Sequence, residues 1–225
     1  MGVTDLIINE IFSSIQGEGT RAGRLCLFIR TTGCPLRCSY CDTTYAFTEG
    51  RPMSQAEILE EVLRRVGPPG RGPNAPFVEL TGGEPLAQEG SPALMQALLD
   101  LGYEVALETA GSHDLSVVPP AVVKIADRKT PGSAMSHRWL ESNLPWLVSG
   151  QDELKFVLCS EEDYAWARDW CLERGILDRL DVLFSPVWGR LDPRWLAEKI
   201  VADALPVRFQ LQLHKLVWPP EQRGV

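Results

Sequence analysis

The chain has 225 residues, 44% of them hydrophobic, and a formal net charge of −8 at pH 7. This length and apolar content suit a single domain with a substantial core. The negative charge disfavours binding to nucleic acid or to an anionic membrane surface, and no apolar run reaches the ~18 residues that span a bilayer. Residues 1–6 contain no basic region and no cleavable apolar stretch, so we expect a reduced, cytoplasmic setting.

Strand-like apolar runs alternate with helix-like runs along most of the chain. The runs predicted as strands cover residues 25–31, 77–80, 103–108, 122–126, 154–159, 181–184 and 207–213. The runs predicted as helices cover residues 54–66, 91–101, 160–174 and 192–204. Ser54 and Glu57 form a capping box for the first helix, and Gly67-Pro68 ends it. Repeated strand–helix units predict an α/β fold with a parallel sheet and right-handed crossovers.

Polar residues follow the predicted strands, at the edge of a parallel sheet where reactive groups usually lie. They are the cysteines 34, 38 and 41 after the first strand, Thr81-Gly82-Gly83-Glu84-Pro85 after the second, residues 108–112 after the third, Asp127-Arg128-Lys129 after the fourth, and Ser185-Pro186 and His214-Lys215 after later strands. Each of these alone reads equally well as a turn. Their occurrence on one rim predicts a site there.

Cys34, Cys38 and Cys41 are the most informative residues, because they place three thiols at the spacing C-x3-C-x2-C with no fourth Cys or His nearby. A structural metal site usually has four protein ligands. Three thiolates on a cubic iron–sulfur cluster leave one iron open to a small molecule, and this is the interpretation that we favour.

The residues alone leave a second metal site open. A zinc ion would need a distant fourth ligand such as His113, His137 or His214. A disulfide framework is disfavoured, because six Cys residues are sparse for this length and no secretory signal precedes them. The other cysteines, which lie in apolar or amphipathic runs and are interpreted as ordinary buried thiols, are Cys26, Cys159 and Cys171.

The cysteine run and the following Gly82-Gly83-Glu84-Pro85 resemble the radical S-adenosylmethionine (SAM) superfamily. The resemblance implies a [4Fe-4S] cluster whose open iron binds the methionine moiety of SAM, which one electron then cleaves to a 5′-deoxyadenosyl radical. It also implies a partial (β/α)6 barrel, since a full eight-unit barrel typically needs ~250 residues. In this scheme Gly83 lets the backbone approach SAM, Glu84 pairs with its ammonium group, and Tyr40 packs near the adenine.

A narrower resemblance covers nearly the whole chain. The motifs that carry it are Glu10-Ile-Phe-Ser-Ser-Ile-Gln-Gly-Glu-Gly19, Phe28-Ile29-Arg30, Cys41-Asp42-Thr43 and Gln212-Leu213-His214-Lys215. They resemble the 7-carboxy-7-deazaguanine synthase family. The resemblance implies a lyase that converts 6-carboxy-5,6,7,8-tetrahydropterin to 7-carboxy-7-deazaguanine by a radical ring contraction that releases ammonia, in the pathway to queuosine. It also implies Mg2+ as a cofactor and regeneration of SAM.

The same resemblance implies a role for each matching residue. Cys34, Cys38 and Cys41 hold the cluster, and Thr43 offers a hydroxyl to Mg2+, a hard cation that prefers oxygen ligands. The residues implied to bind SAM are Tyr40, Asp42, Gly83, Glu84, Glu108, Ser112, Asp127, Arg128, Lys129, Ser185, Pro186, Val187 and Trp188. The residues implied to bind the pterin are Ile15, Gln16, Gly17, Glu18, Arg30, Thr81 and His214. Among these, Glu18 accepts N–H groups of the pterin's guanidine-like edge and Arg30 forms a fork on the substrate carboxylate.

The implied partners are the pterin, an electron donor such as a flavodoxin or ferredoxin, and a second copy of the chain in a homodimer. One rival is a glycyl-radical-enzyme activating protein, which has the same cysteine spacing. Arg30 together with the Gln16-Gly17-Glu18-Gly19 run disfavours this rival. The other rival is a non-enzymatic zinc-binding module.

Two features depart from the family's pattern. Ala110 stands where many relatives place a side-chain amide, so a hydrogen bond to the SAM ribose is either missing or supplied by Ser112. Residues 216–225 continue past the point where a terminal carboxylate completes the site in shorter members. We expect this apolar tail to pack over the barrel mouth, with Trp218 buried and either Arg223 or the Val225 carboxylate near the substrate or a dimer partner.

Overall fold

The computed structural model describes residues 5–70 and 72–225. Its strands are β1 (Leu6–Ile15), β2 (Leu25–Thr31), β3 (Arg51–Met53), β4 (Phe77–Gly82), β5 (Val105–Thr109), β6 (Val123–Asp127), β7 (Glu153–Leu158), β8 (Asp181–Pro186) and β9 (Arg208–Phe209). Its α-helices are α1 (Gln55–Val66), α2 (Ser91–Asp100), α3 (Glu161–Glu173), α4 (Pro193–Ala202) and α5 (Leu213–Val217).

The strands of the described residues form one nine-stranded sheet with the order β3-β1-β2-β4-β5-β6-β7-β8-β9. From β2 to β9 each strand pairs in parallel with the next one in this order. Within residues 5–70 and 72–225 the edge strands β3 and β9 have no ladder to each other, so the sheet stays open. This confirms the prediction of an α/β fold of the partial-barrel type.

Alternation along the parallel strands divides their side chains between two faces. One face packs against the helices through a large apolar core that includes Leu27, Ile29 and Leu80. The opposite face carries a smaller buried cluster made of Phe12, Cys26, Phe28, Phe77, Ala106, Val123 and Ile125. Toward the carboxyl ends of the parallel strands, this face presents polar side chains instead: Arg30, Thr81, Glu108, Asp127 and Lys155. The polar side chains of this face thus lie together at the carboxyl end of the parallel strands.

The helix starts agree with the sequence predictions. The Ser54 hydroxyl accepts from the Glu57 N–H at 3.3 Å, and the Glu57 carboxylate accepts from the Ser54 N–H at 2.7 Å, which is the predicted capping box. α2 begins at Ser91 with proline in its first turn, and Asp192 caps α4. No helix in the described part of the chain is both long and apolar enough to cross a membrane.

The two strands β3 and β1, at one edge of the sheet, were not predicted. β1 pairs antiparallel with β2, and β3 pairs antiparallel with β1. A register shift between Ile8 and Glu10 interrupts the alternation of β1, so its apolar residues do not recur at every second position. β3 is only three residues long and leaves little pattern to detect.

The prediction of a final strand over residues 207–213 is wrong beyond Phe209. The Gln210 N–H still donates to the Phe184 carbonyl at 3.0 Å, but the Leu213 N–H donates to the Gly17 carbonyl at 3.1 Å. The chain therefore leaves the sheet edge to reach the loop that follows β1. There it forms the short helix α5.

Candidate active site

A cavity of about 760 Å³ opens at the carboxyl ends of the parallel strands, above the polar side chains of the inner face. Most of the predicted site residues line it. They are Ile15, Gln16, Gly17, Glu18, Arg30, Cys34, Cys38, Tyr40, Cys41, Asp42, Thr43, Thr81, Gly83, Glu108, Asp127, Lys129, Val187, Trp188 and His214. Part of the predicted polar rim therefore forms one continuous surface, whereas Ser185 and Pro186 lie outside it.

The three clustered thiols lie on a loop between β2 and the 3-10 turn Thr44–Phe47, and each is partly exposed to the cavity. The loop is fixed by main-chain hydrogen bonds from Gly33 to Ala46 at 2.8 Å and from Ser39 to Ser133 at 3.0 Å. Burial raises the pKa of the Cys34 and Cys38 thiols above their ordinary value. A metal cluster bound there would displace their protons.

The Gly-Gly-Glu run packs directly against the start of the cysteine loop. The Gly83 N–H donates to Thr31 at 3.1 Å, and a Cβ at Gly83 would fall 2.3 Å from the carbonyl oxygen of Gly33. Glycine is needed here because backbone meets backbone. The backbone of Gly83 thus closely approaches the backbone of the cysteine loop.

Glu84 lies behind the cavity wall and is fully buried. Its carboxylate accepts from the Thr109 hydroxyl and the Ala110 N–H, both at 2.8 Å, and from the Leu86 N–H at 3.1 Å. Burial raises the pKa of Glu84, although these donors oppose the shift. In this arrangement Glu84 ties the loop after β4 to the loop after β5, and its pairing with SAM stays a prediction.

Four other residues predicted to bind SAM also lie outside the cavity lining: Ser112, Arg128, Ser185 and Pro186. The Ser112 hydroxyl is 3.1 Å from Nδ1 of His113. Arg128 donates to the carbonyls of Lys129 and Ser136. Its guanidinium lies over three indole rings, those of Trp139, Trp166 and Trp170, at 4.8–5.5 Å. These contacts direct Arg128 away from the cavity, so the fixed geometry favours a structural role for it.

Charged residues from separate elements meet on the cavity floor. The Lys155 ammonium donates to Glu18 at 2.9 Å and to Glu108. Asp127 pairs with Lys129 at 2.6 Å, and Lys129 lies 5.4 Å from the centre of the Tyr40 ring. Lys155 was not predicted as a site residue, although an ionic residue inside an otherwise apolar predicted strand was a usable signal.

Gln16 is held from two sides beside this floor. Its Nε2 donates to the buried carboxyl of Glu79 at 2.5 Å, and its Oε1 accepts from the Glu18 N–H at 3.0 Å. Burial, with the nearby Glu108 charge, raises the pKa of Glu79 well above its ordinary value. The Gln16 amide therefore fixes the backbone that carries Glu18.

Arg30 reaches the cavity from β2. Its Nε donates to Glu10 at 2.8 Å, and the Tyr45 hydroxyl donates to the same Glu10 oxygen at 2.9 Å. The Arg30 guanidinium also lies 5.7 Å from the centre of the Phe12 ring. Among the described residues, its two terminal nitrogens make no ion pair, so they are left for a ligand. Glu10 and Tyr45 were not predicted.

Thr43 lies at the mouth of the cavity beside Asp42. Its hydroxyl donates to Asp42 Oδ1 at 3.0 Å, while Asp42 Oδ2 pairs with Lys215 at 2.6 Å. Burial opposes ionisation of Asp42, but the Lys215 ammonium outweighs it and lowers the pKa of Asp42 to about 2. A hydroxyl and an ionised carboxylate suit a hard cation such as Mg2+.

The tail reaches the cavity mouth, where residues 220–225 line it. Arg223 pairs with Glu49 at 2.8 Å, and its guanidinium lies 3.7 Å from the centre of the Tyr45 ring. Trp218 is only partly buried, in contrast to the expectation.

The donor set suits an iron–sulfur cluster, because one loop supplies three thiols to one cavity. All six cysteines are free thiols. The three thiols that share the cavity are those at the cluster spacing. Cys26 and Cys171 are buried in apolar surroundings, as predicted, whereas Cys159 is partly exposed.

Comparisons with known proteins agree with this geometry. The sequence model of the Radical SAM superfamily matches residues 28–127. A 7-carboxy-7-deazaguanine synthase from Chlorobaculum tepidum is 45% identical over 222 residues, which cover 98% of this chain and 97% of the relative. A 7-carboxy-7-deazaguanine synthase from Koribacter versatilis is 40% identical, and the match covers 97% of this chain and 99% of the relative.

Two solved structures share the fold. QueE from Escherichia coli has a TM-score of 0.71 at 22% identity, covering 92% of this chain and 94% of that one. SuiB from Streptococcus suis, bound to S-adenosylmethionine, has a TM-score of 0.50 at 14% identity, covering 79% and 44%. Both structures share the fold of this chain, and residues 28–127 match the radical SAM class of sequence. Its identity to curated relatives over nearly their whole length shows that it belongs to the 7-carboxy-7-deazaguanine synthase family.

Proposed function

We propose that this chain converts 6-carboxy-5,6,7,8-tetrahydropterin to 7-carboxy-7-deazaguanine. The substrate and product balance when one nitrogen leaves as ammonia, so the enzyme is a carbon–nitrogen lyase that regenerates SAM. The observation that carries the proposal is the single cavity that contains both the three cysteine thiols and the free end of Arg30. Membership of the synthase family supports the same activity.

Three thiols are proposed to hold the [4Fe-4S] cluster, which supplies the electron for SAM chemistry when it is bound. The protein residues bind and orient the substrate. Arg30 forms a fork on the carboxylate of the pterin, while Glu18 accepts N–H groups at the opposite, guanidine-like edge. His214 stays neutral at pH 7 because burial lowers its pKa, and it closes the pocket against Gly17.

Several finer features belong to the same proposal. Thr43 and Asp42 offer oxygen atoms for Mg2+, which would stabilise charge on the substrate carboxylate. A flavodoxin or ferredoxin serves as the electron donor, and the chain acts as a cytoplasmic homodimer. The tail limits access of water to the cavity, which protects a radical intermediate from side reactions.

The experiment is anaerobic incubation of the reconstituted protein with SAM, a reductant and the carboxytetrahydropterin, followed by mass analysis of the product. We expect 7-carboxy-7-deazaguanine and ammonia in equal amounts. Cys38→Ala should abolish turnover, whereas Cys26→Ala, at a buried cysteine outside the cavity, should retain it. Absence of product from cluster-loaded wild-type protein would overturn the function, and turnover by Cys38→Ala would overturn the cluster assignment.

A further inference from the structure

Lys155 is a buried lysine on the cavity face of β7. Its side chain is only 4% exposed, and its Nζ donates to Oε2 of Glu18 at 2.9 Å and to Oε1 of Glu108. A buried ammonium is strongly unfavourable unless anions and hydrogen bonds compensate it. Here the compensation comes from the loop after β1 and from the end of β5. One lysine thus joins two carboxylates that are far apart in sequence.

The other charges around Lys155 are already accounted for. Asp127 on β6 is 3.9 Å from Lys155 but 2.6 Å from Lys129, which is its main partner. Glu79 on β4 accepts from the Gln16 amide at 2.5 Å, and burial raises its pKa well above the ordinary value, which disfavours its charged form.

The α5 side of the cavity supplies no second cation to Glu18. Burial lowers the pKa of His214, so its ring is neutral at pH 7. Gln212 and Gln210 contact Glu18 at 2.9 and 3.2 Å, but these amides are uncharged. In the described part of the chain, Lys155 is therefore the cation that balances Glu18.

We propose that Lys155 is the positioning residue that keeps Glu18 ionised and oriented for the N–H-rich edge of the substrate. This rests on the proposed function, because the pterin supplies that edge. Oε2 of Glu18 accepts from both Lys155 and Gln210, whereas Oε1 accepts only from Gln212 and keeps a lone pair for the substrate. Without the ammonium, the Glu18 carboxylate would lie beside the partly exposed Glu108 carboxylate with no cation between them, so Glu18 would take up a proton more readily. A protonated Glu18 is a poorer acceptor for the substrate.

The test is the affinity for 6-carboxy-5,6,7,8-tetrahydropterin, measured by anaerobic calorimetry on the reconstituted holoenzyme at several pH values. Lys155→Met removes the charge and retains an unbranched side chain. At each pH the affinity of wild type is divided by the affinity of Lys155→Met. This ratio removes the effect of protonation of the substrate itself, because both proteins bind the same substrate. We expect a roughly 10- to 100-fold loss near pH 5 that shrinks as the pH rises to about 8, because Glu18 without its cation ionises only at higher pH.

Lys124→Met is the matched control. Lys124 lies on the neighbouring strand β6, is 3% exposed, and pairs with Asp152 at 2.9 Å, but it does not line the cavity. Both variants lose a buried lysine from an ion pair, so both are expected to lose stability in a thermal melt. The Lys124→Met affinity ratio should stay close to one at every pH, because Glu18 keeps its cation.

The outcomes separate the two proposals. If wild-type holoenzyme does not bind the pterin, the proposed function itself is overturned. If wild type binds and the Lys155→Met ratio is flat with pH, only the role of Lys155 is overturned. Should Lys155→Met fail to fold, Lys155→Gln carries the same test, since its amide can still donate to Glu18 but supplies no charge. A flat ratio for Lys155→Gln would then overturn the role of Lys155.

Discussion

The imidazole of His214 lies directly against the backbone of Gly17, where a Cβ would fall 2.4 Å from Nδ1 of His214 and 3.1 Å from its main-chain nitrogen. The contact is continued by the hydrogen bond from the Leu213 N–H to the Gly17 carbonyl at 3.1 Å. Real Cβ atoms do not approach other atoms so closely, so only glycine fits at residue 17. The glycine between Gln16 and Glu18 is therefore explained by packing of α5 on the cavity.

We predict that Gly17→Ala displaces α5 and weakens binding of the pterin while the cluster loop stays intact. Overpacking of this kind typically costs ~1–3 kcal/mol of unfolding free energy. The measurement is denaturant unfolding together with pterin affinity. His214→Ala in the same chain removes the closest clashing atom, so the double variant should lose less than the sum of the two single changes. Strict additivity would show that the two residues do not press on each other.

Arg30 is expected to recognise the substrate carboxylate. Arg30→Ala should weaken carboxytetrahydropterin binding by ~1.5–3 kcal/mol, the usual contribution of hydrogen bonds to a charged group, and leave SAM binding intact. Arg30→Lys should not rescue the affinity, because lysine keeps the charge but cannot form the fork. Calorimetric titration with each ligand measures both effects.

Arg24 provides the control for this prediction. It is also partly buried and pairs with Glu104 at 2.6 Å, but it does not line the cavity. Arg24→Ala should reduce stability without a change in substrate affinity. If Arg30→Ala and Arg24→Ala leave the same substrate affinity, Arg30 serves only its ion pair with Glu10.

Thr43 is expected to set the Mg2+ requirement. Thr43→Ala removes the hydroxyl beside Asp42 and should raise the Mg2+ concentration for half-maximal turnover, whereas Thr43→Ser keeps the oxygen and should be mild. A Mg2+ titration of the steady-state rate distinguishes the three proteins. Superimposable titrations for wild type and Thr43→Ala would place the metal ligand elsewhere.

The sequence best predicted the structural features that depend only on residues close together in the chain. The Ser54 capping box and the proline after Ser91 predicted helix starts within one residue, because these signals depend on neighbours in the chain. β1 was missed because its register shift near Ile8 hides the alternation. The end of the last strand was misjudged because its hydrogen bonds go to Gly17, which lies almost two hundred residues earlier. Such long-range partners have no local signature.

The residues of the candidate site differ in the same respect: some lie in local motifs, and others depend on contacts between distant parts of the chain. The three thiols and Arg30 stand in recognisable motifs, and all of them line the cavity. Glu10 and Lys155 act through contacts between strands that only the assembled sheet brings together. Arg128 follows a strand like its neighbours Asp127 and Lys129, but alternation turns its side chain toward the indoles instead. The roles of the cavity residues and the single-domain organisation stay predictions.

The C-terminal tail is expected to contribute to substrate binding through Arg223. This residue joins Glu49 and the Tyr45 ring, and Tyr45 donates to the Glu10 oxygen that also holds Arg30. Loss of an exposed cation–π contact and ion pair typically costs ~0.5–1 kcal/mol each, so Arg223→Ala should raise the KM for the pterin by roughly 2- to 10-fold. Deletion of residues 221–225, which also opens the cavity mouth, should have a larger effect and lower kcat as well.

Steady-state kinetics of the two tail variants can be compared with those of Arg194→Ala. Arg194 is also exposed and pairs with Glu198 at 2.7 Å, but it lies on α4 and does not line the cavity. Its loss should leave KM unchanged. If KM and kcat are the same in the deletion variant as in wild type, the tail does not take part in the site, and the link from Arg223 through Tyr45 to Arg30 has no effect on the substrate.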